Sequence, residues 1–192
     1  MDNNIVDKIV ETAHHIYNKN MTIGKAGNIS IIDDTGEYMY ITASGTDFKT
    51  LKYDDVIKVN IDDLSYVSTN DMVPSMETNL HIGVYKNRDD IDSVVHVHSP
   101  YATAFAFSNK RLCQQEGFGE ITGEYVAEVD YFPPGSNKLA EHASDALKNE
   151  DCVLLKDHGV ICVGKDIMEA TLLCEYVEAI AKTQYITHVL NL

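Results

Sequence analysis

The run Ser93-Val94-Val95-His96-Val97-His98-Ser99-Pro100 restricts this chain more than any other stretch. Its valines predict a short buried β-strand over Val94–His98, and Pro100, which has no N–H to donate, stops the strand and opens a helix. Side chains on a strand alternate with period two, so His96 and His98 share one face. Imidazoles entering an apolar interior need partners. A third histidine closes Val153-Leu154-Leu155-Lys156-Asp157-His158-Gly159, again at a strand end, where Gly159 permits close backbone approach. Three imidazoles from two strand ends form the donor set of a catalytic zinc site, which keeps one position for water or substrate. His-Val-His alone also describes ordinary strand histidines. His14, His15, His81, His142 and His188 lie on helix-patterned segments without such grouping and are given no metal role.

The remaining pattern alternates strands with helices. Apolar residues from Ile5 to Tyr17 recur at i, i+3 and i+4, predicting a helix over 3–19. Asn28–Ile32 and Glu37–Thr42 flank Asp34-Thr35-Gly36 and predict a hairpin; Ser44-Gly45-Thr46 is a tight turn. Further strands are predicted at Val56–Ile61, Val126–Val129, Cys152–Leu155 and Val160–Val163. Helices are predicted at Glu77–Lys86, with Ser75 as a cap, and at Tyr101–Phe107, Asn137–Lys148 and 166–187. Hairpins among these strands favour an α/β fold with a mixed, largely antiparallel sheet layered with helices over a doubly wound parallel one. No repeat or linker interrupts residues 1–192, so one domain is expected.

Net charge is −15, spread along the chain in pairs such as Asp54-Asp55 and Asp62-Asp63. That excludes phosphate-backbone binding as a main function and makes nucleic acid an unexpected partner. An anionic substrate must be held locally, by N–H groups, hydroxyls and a metal. There is no signal pattern and no membrane-spanning apolar run, so no membrane partner is expected. The four cysteines form no CxxC, and a reduced cytoplasmic protein is expected.

Glu77, in Pro74-Ser75-Met76-Glu77-Thr78, is the candidate fourth ligand or acid–base group. A glutamate in a first helical turn also simply complements the helix dipole, and the residues alone leave both readings open.

Gly27-Asn28-Ile29-Ser30, Thr42-Ala43-Ser44-Gly45-Thr46, Pro74-Ser75-Met76-Glu77-Thr78, His96-Val97-His98 and Leu154-Leu155-Lys156-Asp157-His158-Gly159 stand in the order and spacing of the class II aldolase/adducin family. The resemblance covers roughly residues 3–185 and is nearest to the family's short L-fuculose-1-phosphate aldolase branch. It implies a three-layer αβα fold with Zn2+, or another divalent metal, on His96, His98 and His158. Glu77 is then the acid–base group, and Asn28, Ser44, Gly45, Ser75 and Met76 hold the phosphate of a small sugar substrate. A homotetramer with active sites at subunit interfaces is also implied.

The activity implied is reversible cleavage of a ketose 1-phosphate to dihydroxyacetone phosphate and a short aldehyde. Metal chemistry suits it, since no lysine sits in a Schiff-base context. Two departures stand out: Met76 replaces a second serine, and Gln114-Gln115-Glu116-Gly117 occupies the segment where family aldolases carry a tyrosine. Glu116 resembles the glutamate of methylthioribulose-1-phosphate dehydratases, or is a solvated loop acid. Dehydration is therefore the alternative; ribulose-5-phosphate 4-epimerisation and a non-catalytic adducin-like module are weaker ones.

Overall fold

The computed structural model describes residues 1–117 and 122–192. Five helices and eight strands follow one another as α1 (Asn3–Asn18), β1 (Asn28–Ile32), β2 (Tyr38–Thr42), β3 (Val56–Asn60), β4 (Tyr66–Val67), α2 (Thr78–Asn87), β5 (Ser93–Val97), α3 (Pro100–Ala106), β6 (Ala127–Val129), α4 (Asn137–Ala146), β7 (Cys152–Leu155), β8 (Gly159–Gly164) and α5 (Ile167–Leu190). The strands form one sheet in the order β4-β3-β2-β1-β5-β8-β7-β6. Each neighbouring pair is antiparallel except β6 with β7. This is the mixed, largely antiparallel sheet expected from the hairpin pattern.

Period-two alternation divides the core between the faces of the sheet. Ile29, Ile31, Val95, Val97, Val160 and Cys162 pack with α1, α3 and α5. Val94, Ile161, Val163, Met39 and Ile41 pack with α2 and α4 on the other face. Asn28 and Ser30 of β1, and Val94 and His96 of β5, therefore point toward α2; Asn28 and His96 are direct register partners. The polar site residues thus share a layer with the second apolar core.

Local chemistry fixes the helix starts. Asp2 accepts from the N–H groups of Asn4 and Ile5, Ser136 from that of Leu139, and Asp166 from that of Glu169. The helix expected from Glu77 begins one residue later: Ser75 Oγ accepts from the Glu77 N–H, leaving Glu77 at the boundary. The strand expected over Val94–His98 ends at Val97, so His98 lies just past the ladder. β4 adds a strand outside those the sequence predicts; it is an exposed two-residue edge with no apolar alternation to betray it. Among the described residues, no helix is long and apolar enough to cross a membrane.

Candidate metal centre and acid–base site

β5 and the β7–β8 turn bring three histidines to one point. The ring centroids of His96 lie 4.8 Å from those of both His98 and His158, and the last two rings are 5.0 Å apart. One nitrogen from each falls within 4.8 Å of the others, the single such His/Cys/Asp/Glu group among the described residues. His96 Nε2 and His98 Nε2 are 3.0 Å apart. Zn–N bonds of about 2.0–2.1 Å in tetrahedral array ask for roughly 3.3 Å, so a separation of these two nitrogens by a few tenths of an ångström suffices. His96 Nδ1 donates to the Val160 carbonyl at 2.9 Å, which leaves its Nε2 lone pair for an ion.

Protonation agrees with a metal site. Burial, assisted by His158, holds His96 down to about 3, and burial with the neighbouring imidazoles does the same to His98. His158 is also lowered, by burial above all. Neutral imidazoles are the form that binds a metal. Two buried atoms in the cluster, Glu77 Oε1 and His158 Nδ1, have no hydrogen-bond partner among the described residues. A buried carboxylate oxygen left unpaired is costly unless a cation or ligand completes it. The donor set, its protonation and the orphaned oxygen all fit a divalent cation.

Glu77 sits against this cluster, 4% exposed. Its Oε2 is 3.4 Å from His96 Nε2, and its Oε1 is 3.6 Å from His158 Nε2. Asn28 Nδ2 donates to Oε2 at 2.9 Å. Segments predicted to hold phosphate gather around it. Ala43 bridges Pro74, Ser75 N–H donates to the Thr42 carbonyl at 3.2 Å, and Ser44 N–H to that of Val73 at 2.9 Å. Ser44, Gly45, Ser75 and Met76 therefore stand side by side at the start of α2, where N–H groups favour anions. Met76 turns its side chain out, 63% exposed. Glu116 is different: among the described residues it lies in an exposed turn, outside the histidine group.

The backbone makes room for the rings at two glycines. Gly27 has φ +91°, and a Cβ there would lie 2.6 Å from the His96 carbonyl oxygen. At Gly159 a Cβ would lie 2.7 Å from the Val97 oxygen, 3.2 Å from His98 Cδ2 and 3.3 Å from His96 Cε1. Gly159→Ala is therefore expected to push β5 and β8 apart at the site. We expect a loss of about 1–3 kcal/mol in urea unfolding and, for any divalent ion the three rings take, a drop in affinity of roughly 10–100-fold. Unchanged zinc titration of the variant would contradict the crowding.

The chain matches the family model described as "Class II Aldolase and Adducin N-terminal domain" over residues 7–185. It belongs to the class II aldolase and adducin family. Within that family it is 37% identical over 177 residues to an L-fuculose phosphate aldolase of Methanococcus maripaludis, covering 92% of this chain and 94% of the relative. A 5-deoxy-D-ribulose 1-phosphate aldolase of Bacillus thuringiensis is 30% identical over 181 residues, covering 94% and 84%. A solved L-fuculose 1-phosphate aldolase structure superposes with TM-score 0.90 at 28% identity, covering 99% of this chain and 89% of that one. The αβα scaffold of class II aldolases is thus the scaffold of this chain.

His81, a histidine on a helix-patterned segment, shows its partners only in the folded chain. Its ring is fully buried between α2 and β1, with Nε2 at 2.5 Å from Asn28 Oδ1 and Nδ1 at 2.6 Å from Ser30 Oγ. Ser30 Oγ in turn lies 2.7 Å from Tyr85 Oη. The signal was present as helical spacing: Glu77, His81 and Tyr85 recur every four residues, on one side of α2.

Burial also holds His81 down to about 3. Unfolded histidine titrates near 6.5, so for His81, His96 and His98 the folded value is the lower one. The stability linked to these rings is complete above about pH 6.5 and is lost as pH falls toward 3, by up to about 1.4 kcal/mol per pH unit per ring. Metal-free protein should therefore show a urea midpoint falling steeply between pH 7 and 5. A flat midpoint across that window would mean the rings are not buried and neutral.

Proposed function

We propose that this chain is a zinc-dependent lyase that reversibly cleaves a ketose 1-phosphate of the L-fuculose 1-phosphate type. The products are dihydroxyacetone phosphate and a short aldehyde. The observation that carries this reading is the trio of imidazoles, two buried and one part-exposed, with a carboxylate lodged against two of them. The names of the relatives support the aldolase sense of the chemistry.

His96, His98 and His158 would hold the metal, zinc or another divalent ion that accepts imidazole nitrogen. When bound, it would supply Lewis acidity toward the substrate's carbonyl and hydroxyl oxygens as negative charge develops. Glu77 would move the proton. As the bond between C3 and C4 breaks, the C4 hydroxyl gives its proton to the Glu77 carboxylate and becomes the aldehyde. The electron pair stays on C3, and Glu77 returns a proton there. Its Oε1, without a partner in the fold, is the atom free to do so. Ser44 and Ser75 hydroxyls, the N–H groups of Gly45 and Met76, and the second amide hydrogen of Asn28 would surround the phosphate.

We also propose a single-domain cytoplasmic homotetramer with active sites at subunit interfaces. Four free cysteines support a reducing compartment. Exposed apolar side chains along α5, including Leu172, Tyr176, Tyr185, Ile186 and Val189, support association.

The test is chelation followed by zinc readdition, with dihydroxyacetone phosphate release read from a panel of ketose 1-phosphates. Cleavage that is indifferent to metal would sink the mechanism. Glu116→Gln belongs in the same assay: an aldolase keeps most of its cleavage, whereas a dehydratase relying on that acid loses its activity.

A further inference from the structure

We infer that His81 is a positioning residue: through one directed hydrogen-bond chain it locks the Asn28 amide with its NH2 group toward Glu77. The inference rests on Glu77 being the acid–base group proposed above.

The direction of the chain follows from its acceptor end. A carboxylate only accepts, so Glu77 Oε2, 2.9 Å away, selects the Nδ2 end of Asn28. Asn28 Oδ1 then faces His81 Nε2 at 2.5 Å, so that nitrogen must carry the ring proton. His81 Nδ1 is left with a lone pair and accepts from the Ser30 hydroxyl at 2.6 Å. Having given its proton to the ring, Ser30 Oγ can only accept from Tyr85 Oη at 2.7 Å. Burial keeps the phenol protonated and able to donate. Each link admits one polarity, and reversing any of them sets two donors or two acceptors face to face.

An asparagine amide by itself can flip. Flipped, Asn28 would turn Oδ1 on Glu77, repelling the carboxylate, and would turn its amide hydrogens away. The lock prevents this from inside the core, where Asn28, Ser30, His81 and Tyr85 are all buried. It also explains why a histidine, and not an apolar residue, stands on the core side of α2.

Two measurements test the lock on the zinc-loaded protein. First, long-range 1H–15N spectra at pH 7 should show His81 as the Nε2–H tautomer; the Nδ1–H form would overturn the proposal. Second, kinetics should show a dependence on Asn28. His81→Leu is expected to lower kcat by about 10–100-fold, with KM changed less than about 3-fold and zinc content retained. His81→Gln, whose amide nitrogen reaches the Nε2 position, should restore most of the rate. In an Asn28→Ala background, His81→Leu should cost less than about 2-fold more. Additive losses, or a folded Gln variant as slow as Leu, would refute it. If His81→Leu does not fold, the tautomer and the Gln variant still decide. Failure of the acid–base reading is distinguishable: Glu77→Gln would then keep cleaving, while the tautomer and the coupling to Asn28 would still report on the lock.

Discussion

Glu77→Gln is expected to lower kcat for ketose 1-phosphate cleavage by about 10²–10⁴-fold, the range of a lost acid–base group. KM should change little, because the phosphate segments and the three imidazoles are untouched. The amide is nearly isosteric, and Asn28 can still donate to its oxygen, so packing at this 4% exposed position survives. Two effects are separated by measuring zinc content and unfolding beside the rate. Gln removes a negative charge 3.4 Å from His96 Nε2 and 3.6 Å from His158 Nε2, which weakens the attraction for a cation. It also removes the titratable group. A variant with full zinc and a lost rate isolates the second effect. A variant with full zinc and the parent rate would end the case for Glu77 as the proton carrier.

Much of this site is legible from the sequence because its geometry is encoded in short periods. His96 and His98 share a face by strand alternation, and His158-Gly159 marks a turn that lets a third ring approach. What escaped was long-range pairing of different periods. Asn28 and Ser30 alternate along β1 while Glu77, His81 and Tyr85 repeat every four residues along α2, and only the packing of α2 on β1 reveals that one row meets the other. His81 read alone is a helix histidine; its partners lie about fifty positions away. The fold followed from hairpin signals, whereas β4, an exposed edge pair at Tyr66–Val67, carries no burial pattern at all. The motif assigns Asn28 to phosphate; its oxygen and one amide hydrogen are engaged by His81 and Glu77, pairings that no motif states and that leave the second amide hydrogen for the phosphate.

His98→Ala should abolish zinc retention and lower the cleavage rate more than about 10³-fold, since two imidazoles cannot replace the three-ligand donor set. It is a cleaner probe of the metal than His96→Ala. His96 is fully buried inside β5 and donates to Val160, so its loss opens a cavity and orphans a carbonyl. His98 lies one residue past the strand, part-exposed, with its backbone outside the ladder. The metal-free variant gives a second readout of opposite sign. His98 is held down to about 3 by burial and by the neighbouring imidazoles, so in the metal-free parent it penalises folding below about pH 6.5. Removing the ring removes one proton from that balance. Metal-free His98→Ala should therefore unfold less steeply with falling pH than the metal-free parent, although it is the weaker enzyme. An unchanged acid profile would show that burial does not hold His98 neutral in the metal-free fold, and retained zinc with the parent rate would separate the metal from this ring.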